Sequence, residues 1–239
     1  MNVNFFVTCI GDAFKSRMAQ KSVLLLEQLG CNVHFPEKQG CCGQPAINGG
    51  YVRDAIPGMK NIISSLEEND WPIVSPAGSC TYTIKNYARY LSEEPGWAAR
   101  AEKVAERLHD LTSFIVNNLG ITDVGASLNG RAVYHPSCSL SRKLGVTREP
   151  LLLLENVRGL ELLPFHAQET CCGFGGTFSV KMAEISGEMV KEKVSHIMDV
   201  KPDFLIGADA SCLLYIGGRL SREGHPVKVM NIAEVLMHR

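Results

Sequence analysis

The segment QGCCGQPAI (residues 39–47) places two adjacent cysteines before a glycine, and TCCGFGGTF (residues 170–178) repeats this tripeptide late in the chain. In each half, a single cysteine precedes the pair with 31 or 32 residues between them, and another follows it with 37 or 39 residues between. The two sets are Cys9, Cys41, Cys42 and Cys80, and Cys138, Cys171, Cys172 and Cys212. A repeat that covers half of the 239-residue chain is too long for a solenoid unit, so it indicates a duplicated domain.

The composition is that of a globular chain with a sizeable core. Hydrophobic residues make up 45% of the chain, and 24 Lys and Arg against 25 Asp and Glu leave a net charge of −1. This balance argues against a nucleic-acid-binding protein, which carries a basic patch or a high pI, and against a disordered chain. No apolar run approaches the roughly 20 residues of a membrane helix, and no basic segment precedes the first apolar run. We therefore expect a cytoplasmic protein without a signal peptide or a transmembrane segment.

Short apolar runs rich in β-forming residues alternate with segments of helical periodicity in both halves. The predicted strands are 3–8, 32–35 and 72–75 in the first half, and 131–135, 160–164, 203–208 and 226–230 in the second. Helices are predicted at 13–29 and 52–66, and a third along the apolar stripe of Val104, Leu108, Leu111 and Ile115. Strands that alternate with helices indicate parallel pairing. We expect an α/β fold of two duplicated parallel-sheet halves with helices on both faces, related by a pseudo-twofold axis.

The boundary between the halves is predicted in a segment typical of loops. Residues 117–130 contain three Gly and three Asn, which favour turns. We expect a first domain at 1–122 and a second at 123–239.

Each cysteine of the two sets lies near the carboxyl end of a predicted strand. Single cysteines follow the first and third strands of each half, and the adjacent pairs follow the second. Ligands of open parallel sheets bind outside the carboxyl ends of the strands, so we expect each set to converge on one site. The ninth cysteine, Cys31, has no counterpart in the second half and is expected to be a buried structural thiol.

Four thiolates at one site suit either an iron–sulfur cluster or a zinc ion. Structural zinc usually uses short knuckles with roughly two to four residues between paired ligands, whereas these cysteines are widely scattered and two of them are adjacent. Adjacent cysteines reach different irons of a cluster more easily than two corners of one small tetrahedron, so the pattern favours a cluster. Zinc stays open as an alternative. Unliganded buried thiols and a strained disulfide within a vicinal pair also stay open.

The pattern resembles the CCG-domain (cysteine-rich domain) family, whose motif is a single Cys, a spacer in the thirties, Cys-Cys-Gly, a similar spacer and Cys-x-x-Cys. The resemblance covers residues 3 to about 236, and SPAGSC (75–80) and CCGFGGTFSVKM (171–182) are most similar to the lactate-utilisation protein A group. It implies that the eight cysteines bind iron–sulfur clusters of the 4Fe–4S type, at most one per half. It further implies the electron-transfer subunit of an oxidoreductase complex that converts L-lactate to pyruvate. The implied partners are a ferredoxin-like iron–sulfur subunit (LutB-like) and a LutC-like protein, which could hold the chain peripherally at a membrane.

Both halves depart from the family motif at its final Cys-x-x-Cys. Ala77 stands three residues before Cys80, and Asp209 three before Cys212, where the full motif has another cysteine. Four ligands suffice for a 4Fe–4S cube. Asp209 is a candidate oxygen ligand or a helix cap, and His135, shortly before the first cysteine of the second set, is a candidate donor to the cluster.

Three functions stay open from the sequence. The leading hypothesis is the electron-transfer subunit of the L-lactate-oxidising complex. The second is a zinc-stabilised scaffold subunit of the same assembly, and the third is a thiol-dependent reductase that uses the vicinal cysteines. The sequence assigns no catalytic residue and does not establish whether the chain alone is an enzyme.

Overall fold

Two four-stranded parallel sheets form the centre of the computed structural model, which describes residues 1–239. The strands of the first sheet are β1 (Asn2–Phe5), β2 (Asn32–His34), β3 (Ile73–Ser75) and β4 (Leu108–Asp110). Those of the second sheet are β5 (Ser127–His135), β6 (Arg158–Leu162), β7 (Phe204–Gly207) and β8 (Lys228–Asn231). The strand orders, β2-β1-β3-β4 and β6-β5-β7-β8, have the same topology. The predicted α/β fold of two duplicated parallel-sheet halves is confirmed.

Helices connect the strands of each half. The first half contains α1 (Cys9–Phe14), α2 (Ser16–Gln28), α3 (Gln44–Asn48), α4 (Val52–Leu66), α5 (Gly78–Lys85), α6 (Tyr87–Tyr90), α7 (Trp97–Arg107), α8 (Leu111–Ser113) and a π-helical turn (Phe114–Asn118). The second half contains a π-helical turn (Ser139–Lys143), α9 (Arg148–Glu155), α10 (Phe178–Lys181), α11 (Ala183–Asp199), α12 (Ala210–Arg222) and α13 (Ile232–Leu236). Helix α4 has the predicted bounds, because its buried side chains recur every three or four residues.

Successive residues at the ends of β1 and β5 point into different cores, as the pleat requires. Phe5 packs in a core shared by the two halves, whereas the next residue, Phe6, packs in a core outside the first sheet. On β5, Tyr134 lies in the shared core and Val133 in a core outside the second sheet. Both faces of each sheet are therefore covered, and the shared face joins the halves.

The contacts between the halves occur in exchanged pairs. Helix α2 packs on α13, and the equivalent helices α9 and α8 pack on each other. Helix α5 packs on the turn Ser139–Lys143, while α12 packs on α1. This reciprocity is what a pseudo-twofold axis produces, because such an axis exchanges equivalent surfaces.

The apolar stripe at 104–115 is not the single helix that its periodicity predicts. Helix α7 ends at Arg107, and Leu108–Asp110 form β4, which pairs in parallel with β3. Asp110 then caps α8 by accepting a hydrogen bond from the N–H of Thr112 at 2.9 Å. The apolar residues of the stripe would be buried both in one long helix and in the observed helix, strand and helix. Their periodicity therefore could not show that the helix ends before β4. The acidic residue within the stripe was the available signal, because Asp favours the N-cap position.

Two other predicted bounds differ from the structure. The helix predicted at 13–29 is two helices, since Lys15 leaves the helical conformation between them with φ −136°. Strand β5 begins at Ser127, within the segment predicted as the junction. The domain boundary between residues 122 and 123 stays a prediction and lies between the turn Phe114–Asn118 and β5. None of the helices is both long and apolar enough to cross a bilayer.

Candidate metal centres

The first cysteine set lies where three neighbouring strands of the first sheet end. Cys9 begins α1 after β1, Cys41 and Cys42 lie in the loop between β2 and α3, and Cys80 is in the first turn of α5. The Sγ atoms of Cys9 and Cys41 are 3.7 Å apart, and those of Cys42 and Cys80 are 3.3 Å apart. The parallel topology therefore brings four cysteines that are distant in sequence to one edge of the sheet.

The second set occupies the equivalent places in the second half. Cys138 follows β5, Cys171 and Cys172 lie in the loop after β6, and Cys212 is in the first turn of α12. The Sγ atoms of Cys172 and Cys212 are 3.2 Å apart, and the proximity of Cys171 raises the pKa of the Cys138 thiol. All nine cysteines of the chain are free thiols, and Cys31 is buried in the shared core.

Each set holds one strongly acidic thiol. The neighbouring thiols of Cys42 and Cys9 lower the pKa of Cys41 well below its usual range. The neighbouring thiols of Cys138 and Cys172 lower the pKa of Cys171 in the same way. These neighbours respond in the opposite direction, so the pKa values of Cys9, Cys42, Cys138 and Cys172 are raised. Releasing the remaining protons would bring like charges together, so four thiolates at one site call for a cation.

The glycine of each Cys-Cys-Gly motif has a left-handed backbone. Gly43 has φ +80°, and Gly173 has φ +88°. A Cβ atom at Gly173 would lie 2.9 Å from the Cβ of Met189, so the loop packs against α11 with no room for a side chain. These glycines let the chain turn sharply behind the cysteine pair and place both thiols at the strand ends.

His135, the last residue of β5, lies beside the second set. A ring nitrogen of His135 and the Sγ atoms of Cys172 and Cys212 lie within 4.8 Å of one another. The residue is 1% exposed, and neither ring nitrogen has a hydrogen-bond partner. Burial lowers the pKa of His135 to about 4, so the ring is neutral at pH 7. Buried polar atoms are rarely left without partners, so this ring is a candidate donor to a bound group.

Asp209 connects the halves at the first set. Its carboxylate caps α12 by accepting from Ser211 N–H at 3.1 Å and Ser211 Oγ–H at 2.5 Å. The other carboxylate oxygen accepts from the N–H of Ser79, at the start of α5, at 2.9 Å. Both oxygens are thus engaged by protein donors, which favours the helix-cap role over the oxygen-ligand role.

Sequence analysis missed Lys193, a buried lysine on α11 behind the second cysteine pair. Its Nζ donates to the carbonyl oxygens of Ala167 at 2.8 Å and Gln168 at 3.0 Å, and the residue is 0% exposed. Burial lowers its pKa to about 8. The helical spacing could have revealed its burial, because Lys193 lies three residues after Val190 and four before Ile197, on the buried face of α11.

A cavity of about 250 Å³ lies between the first cysteine set and the second half. Phe174, Thr177 and Val180 of the second half line one side of it. The hydroxyl of Thr177 donates to the carbonyl oxygen of Pro45 at 3.1 Å, which ties this wall to the first half. Cys41 is exposed, whereas its equivalent in the second set is half-buried. The first set is therefore the more accessible of the two.

The donor sets fit a soft metal or an iron–sulfur cluster, because four free thiols with no intervening disulfide meet at each site. The pairwise Sγ separations of 3.2 to 3.7 Å are near the roughly 3.8 Å that tetrahedral bonds of about 2.3 Å produce around one ion. Thiolates bound to different irons of a cluster stand further apart. The separations thus favour a single ion, and the adjacent cysteine pairs favour a cluster.

The family model of the cysteine-rich domain, CCG, matches residues 3–85 and 132–217. Each segment contains one cysteine set and extends past the third strand of its sheet, but neither reaches the fourth strand. The chain belongs to the CCG cysteine-rich domain family. The family resemblance predicted from the sequence is confirmed.

Relatives of this CCG protein align over its whole length. It is 77% identical over 239 residues to "Uncharacterized protein YkgE" from Escherichia coli (strain K12), with 100% of both chains covered. It is 52% identical to "Lactate utilization protein A" from Geobacillus thermodenitrificans (strain NG80-2), again with 100% of both chains covered. The corresponding protein of the same name from Bacillus subtilis (strain 168) is 50% identical over the same complete coverage.

Proposed function

We propose that this protein takes part in lactate utilisation as the electron-transfer iron–sulfur subunit of a complex that oxidises L-lactate to pyruvate. The observation that carries the proposal is the pair of equivalent sites, each with four free cysteines at the carboxyl ends of parallel strands. The names of the relatives that are 50 to 52% identical support lactate as the substrate of the complex.

The cysteines of each half would hold one 4Fe–4S cluster. Such a cluster, when bound, accepts and releases single electrons. The chain offers donors to its sulfurs: the N–H of Gly173 donates to Sγ of Cys171 at 3.4 Å. Cys80 and Cys212 each lie in the first turn of a helix, where the positive end of the helix dipole favours an anionic group.

The two sites differ in their access to a partner. The exposed Cys41 puts the first site next to the surface, where an electron could pass to or from another protein. We propose a ferredoxin-like iron–sulfur subunit and a LutC-like protein as partners, with the chemistry on lactate itself outside this chain. We place the complex in the cytoplasm, because nine free cysteines are typical of a reducing compartment.

A zinc-stabilised scaffold subunit is the second candidate function. The Sγ separations of 3.2 to 3.7 Å favour it, since they are close to the geometry of one tetrahedral ion. Zinc has no redox chemistry, so a zinc protein would organise the complex without transferring electrons.

Metal analysis of the anaerobically purified protein tests these functions. Iron with acid-labile sulfide and broad visible absorption would support the electron-transfer subunit, and lactate-dependent dye reduction with the partners present would support its place in the complex. Zinc without iron would support the scaffold. Protein with neither metal but with reducible vicinal cysteines would support a thiol-dependent reductase instead.

A further inference from the structure

The second cysteine set has a buried imidazole beside it that the first set lacks. His135 is fully enclosed beside Cys172 and Cys212, and both of its ring nitrogens lack partners within the protein. An imidazole carries at least one N–H donor. Because a buried donor without an acceptor is costly, the nearby sulfurs are the acceptors that this position offers.

The equivalent position in the first half is Phe6. Strand pairing establishes the equivalence. Phe5 pairs with Val74 of β3 in the first sheet, just as Tyr134 pairs with Ile206 of β7 in the second. Phe6 and His135 are the residues that follow Phe5 and Tyr134. Phe6 is 0% exposed and packs in the same apolar core as Cys42 and Cys80. The duplicated fold thus places a phenyl ring beside one set of sulfurs and an imidazole beside the other.

We propose that His135 donates a hydrogen bond to the sulfurs of the metal centre in the second half and raises the reduction potential of that centre. This inference rests on the proposed electron-transfer function. Reduction adds negative charge to the sulfurs, so an N–H donor stabilises the reduced form more than the oxidised form. The phenyl ring of Phe6 offers no such donor, so the two centres receive different contributions from equivalent positions.

The test is a potentiometric titration of the anaerobically purified protein, followed by visible absorption and electron paramagnetic resonance. The variants are His135→Phe, which copies the first half, His135→Gln, which keeps an N–H donor, and Cys31→Ser as a control away from both sets. Iron and sulfide are measured for each variant alongside the potentials.

We expect His135→Phe to keep its iron and sulfide while one of the two centres shifts to a lower potential. His135→Gln should shift less than His135→Phe, and Cys31→Ser should leave both potentials unchanged. Unchanged potentials in His135→Phe would overturn the inference, and so would loss of about half of its iron, which would identify His135 as a ligand. Wild-type protein without iron would overturn the proposed function as well, and the metal analysis detects that outcome separately.

Discussion

The two halves place equivalent cysteines on equivalent elements, yet the residues around the two sets differ in polarity. Phe6 in the first half corresponds to His135 in the second, and Ala77, at the N-cap of α5, corresponds to Asp209 at the N-cap of α12. The spacing of buried residues on α4 and α11 likewise places Lys193 where the first half has an isoleucine. At these three positions, apolar residues of the first half are replaced by ionisable residues in the second.

This difference shows which properties the duplication preserves. Strand order and the loops after the strands determine where the cysteines meet, and both are the same in the two halves. The surrounding side chains determine charge, hydrogen bonding and access to solvent, which tune a bound metal centre. Equivalent cysteine sets therefore lie in different surroundings, with the more accessible set in the first half and a set beside a buried imidazole in the second.

The largest expected effect comes from removing one cysteine of either set. Cys42→Ser and Cys172→Ser should each lose the metal of their own half and abolish lactate-dependent electron transfer, while the α/β scaffold still folds. Serine oxygen is a poorer ligand for a soft metal than thiolate sulfur. Iron per chain and dye reduction by the assembled complex measure both effects.

Cys31→Ser is the matched control for these variants. Cys31 is 7% exposed and lies in the shared core, so its replacement should lower stability modestly and leave iron and activity intact. Loss of iron from Cys31→Ser, with iron retained in Cys42→Ser and Cys172→Ser, would contradict the assignment of the two sets.

Much of this comparison could be predicted from the cysteine spacing. The repeat predicted the duplicated α/β fold, and the position of each cysteine after a strand predicted that the four sulfurs of a half would meet. Both follow from topology, because parallel strands end at one edge of a sheet. His135 and Asp209 were also identified as candidates, because each stands three residues before a cysteine.

Other features depend on packing that the sequence does not display. Strand β4 has three residues, and its one apolar side chain, Leu108, fits a helical stripe as well as a strand. Lys193 looks like an exposed residue among other charged ones until its carbonyl partners in the loop at Ala167 are known. The contact of Asp209 with Ser79 crosses between the halves, so no local pattern could predict it.

The pH dependence of stability should differ between the halves because of Lys193. Its pKa is about 8 in the folded protein, against about 10.4 when unfolded. Between about pH 8 and 10.4 the lysine is protonated in the unfolded chain but already neutral in the folded protein. The free energy of unfolding therefore rises with pH over this range, by at most about 3 kcal/mol. We expect the wild type to gain stability relative to Lys193→Met from pH 8 to 10.5 in denaturant titrations.

Lys191→Met is the control, because Lys191 is an exposed residue of the same helix. It should leave the slope of stability against pH unchanged. Parallel slopes for the wild type and Lys193→Met would show that the lysine is solvated, and Lys193 would then no longer distinguish the two halves.

Asp209→Ala should lower the free energy of unfolding by about 2 kcal/mol, because it removes a helix cap and a charged hydrogen bond. The first half has Ala77 at this position, and the N–H of Ser79 relies on Asp209 instead. Asp209→Asn should lose less stability, since its amide oxygen still accepts from one helix. Iron content separates the two roles of this residue: retention in both variants indicates a cap, and loss in both indicates a ligand.

The smallest expected effect separates the two motif glycines. Gly43→Ala forces a side chain into a left-handed conformation, which costs about 1 kcal/mol, and its Cβ would meet the Cβ of Ala55 at 3.3 Å. Gly173→Ala adds closer contacts, with the Cβ of Met189 at 2.9 Å and the carbonyl oxygen of Ser186 at 3.0 Å.

Gly30→Ala is the control that isolates the conformational cost, because Gly30 has φ +86° and a Cβ there would have no neighbouring atom within 4 Å. Denaturant midpoints should show Gly43→Ala close to Gly30→Ala and Gly173→Ala clearly less stable. Equal losses at Gly43 and Gly173 would mean that α11 yields as easily as α4, so the second loop would be no more tightly packed than the first.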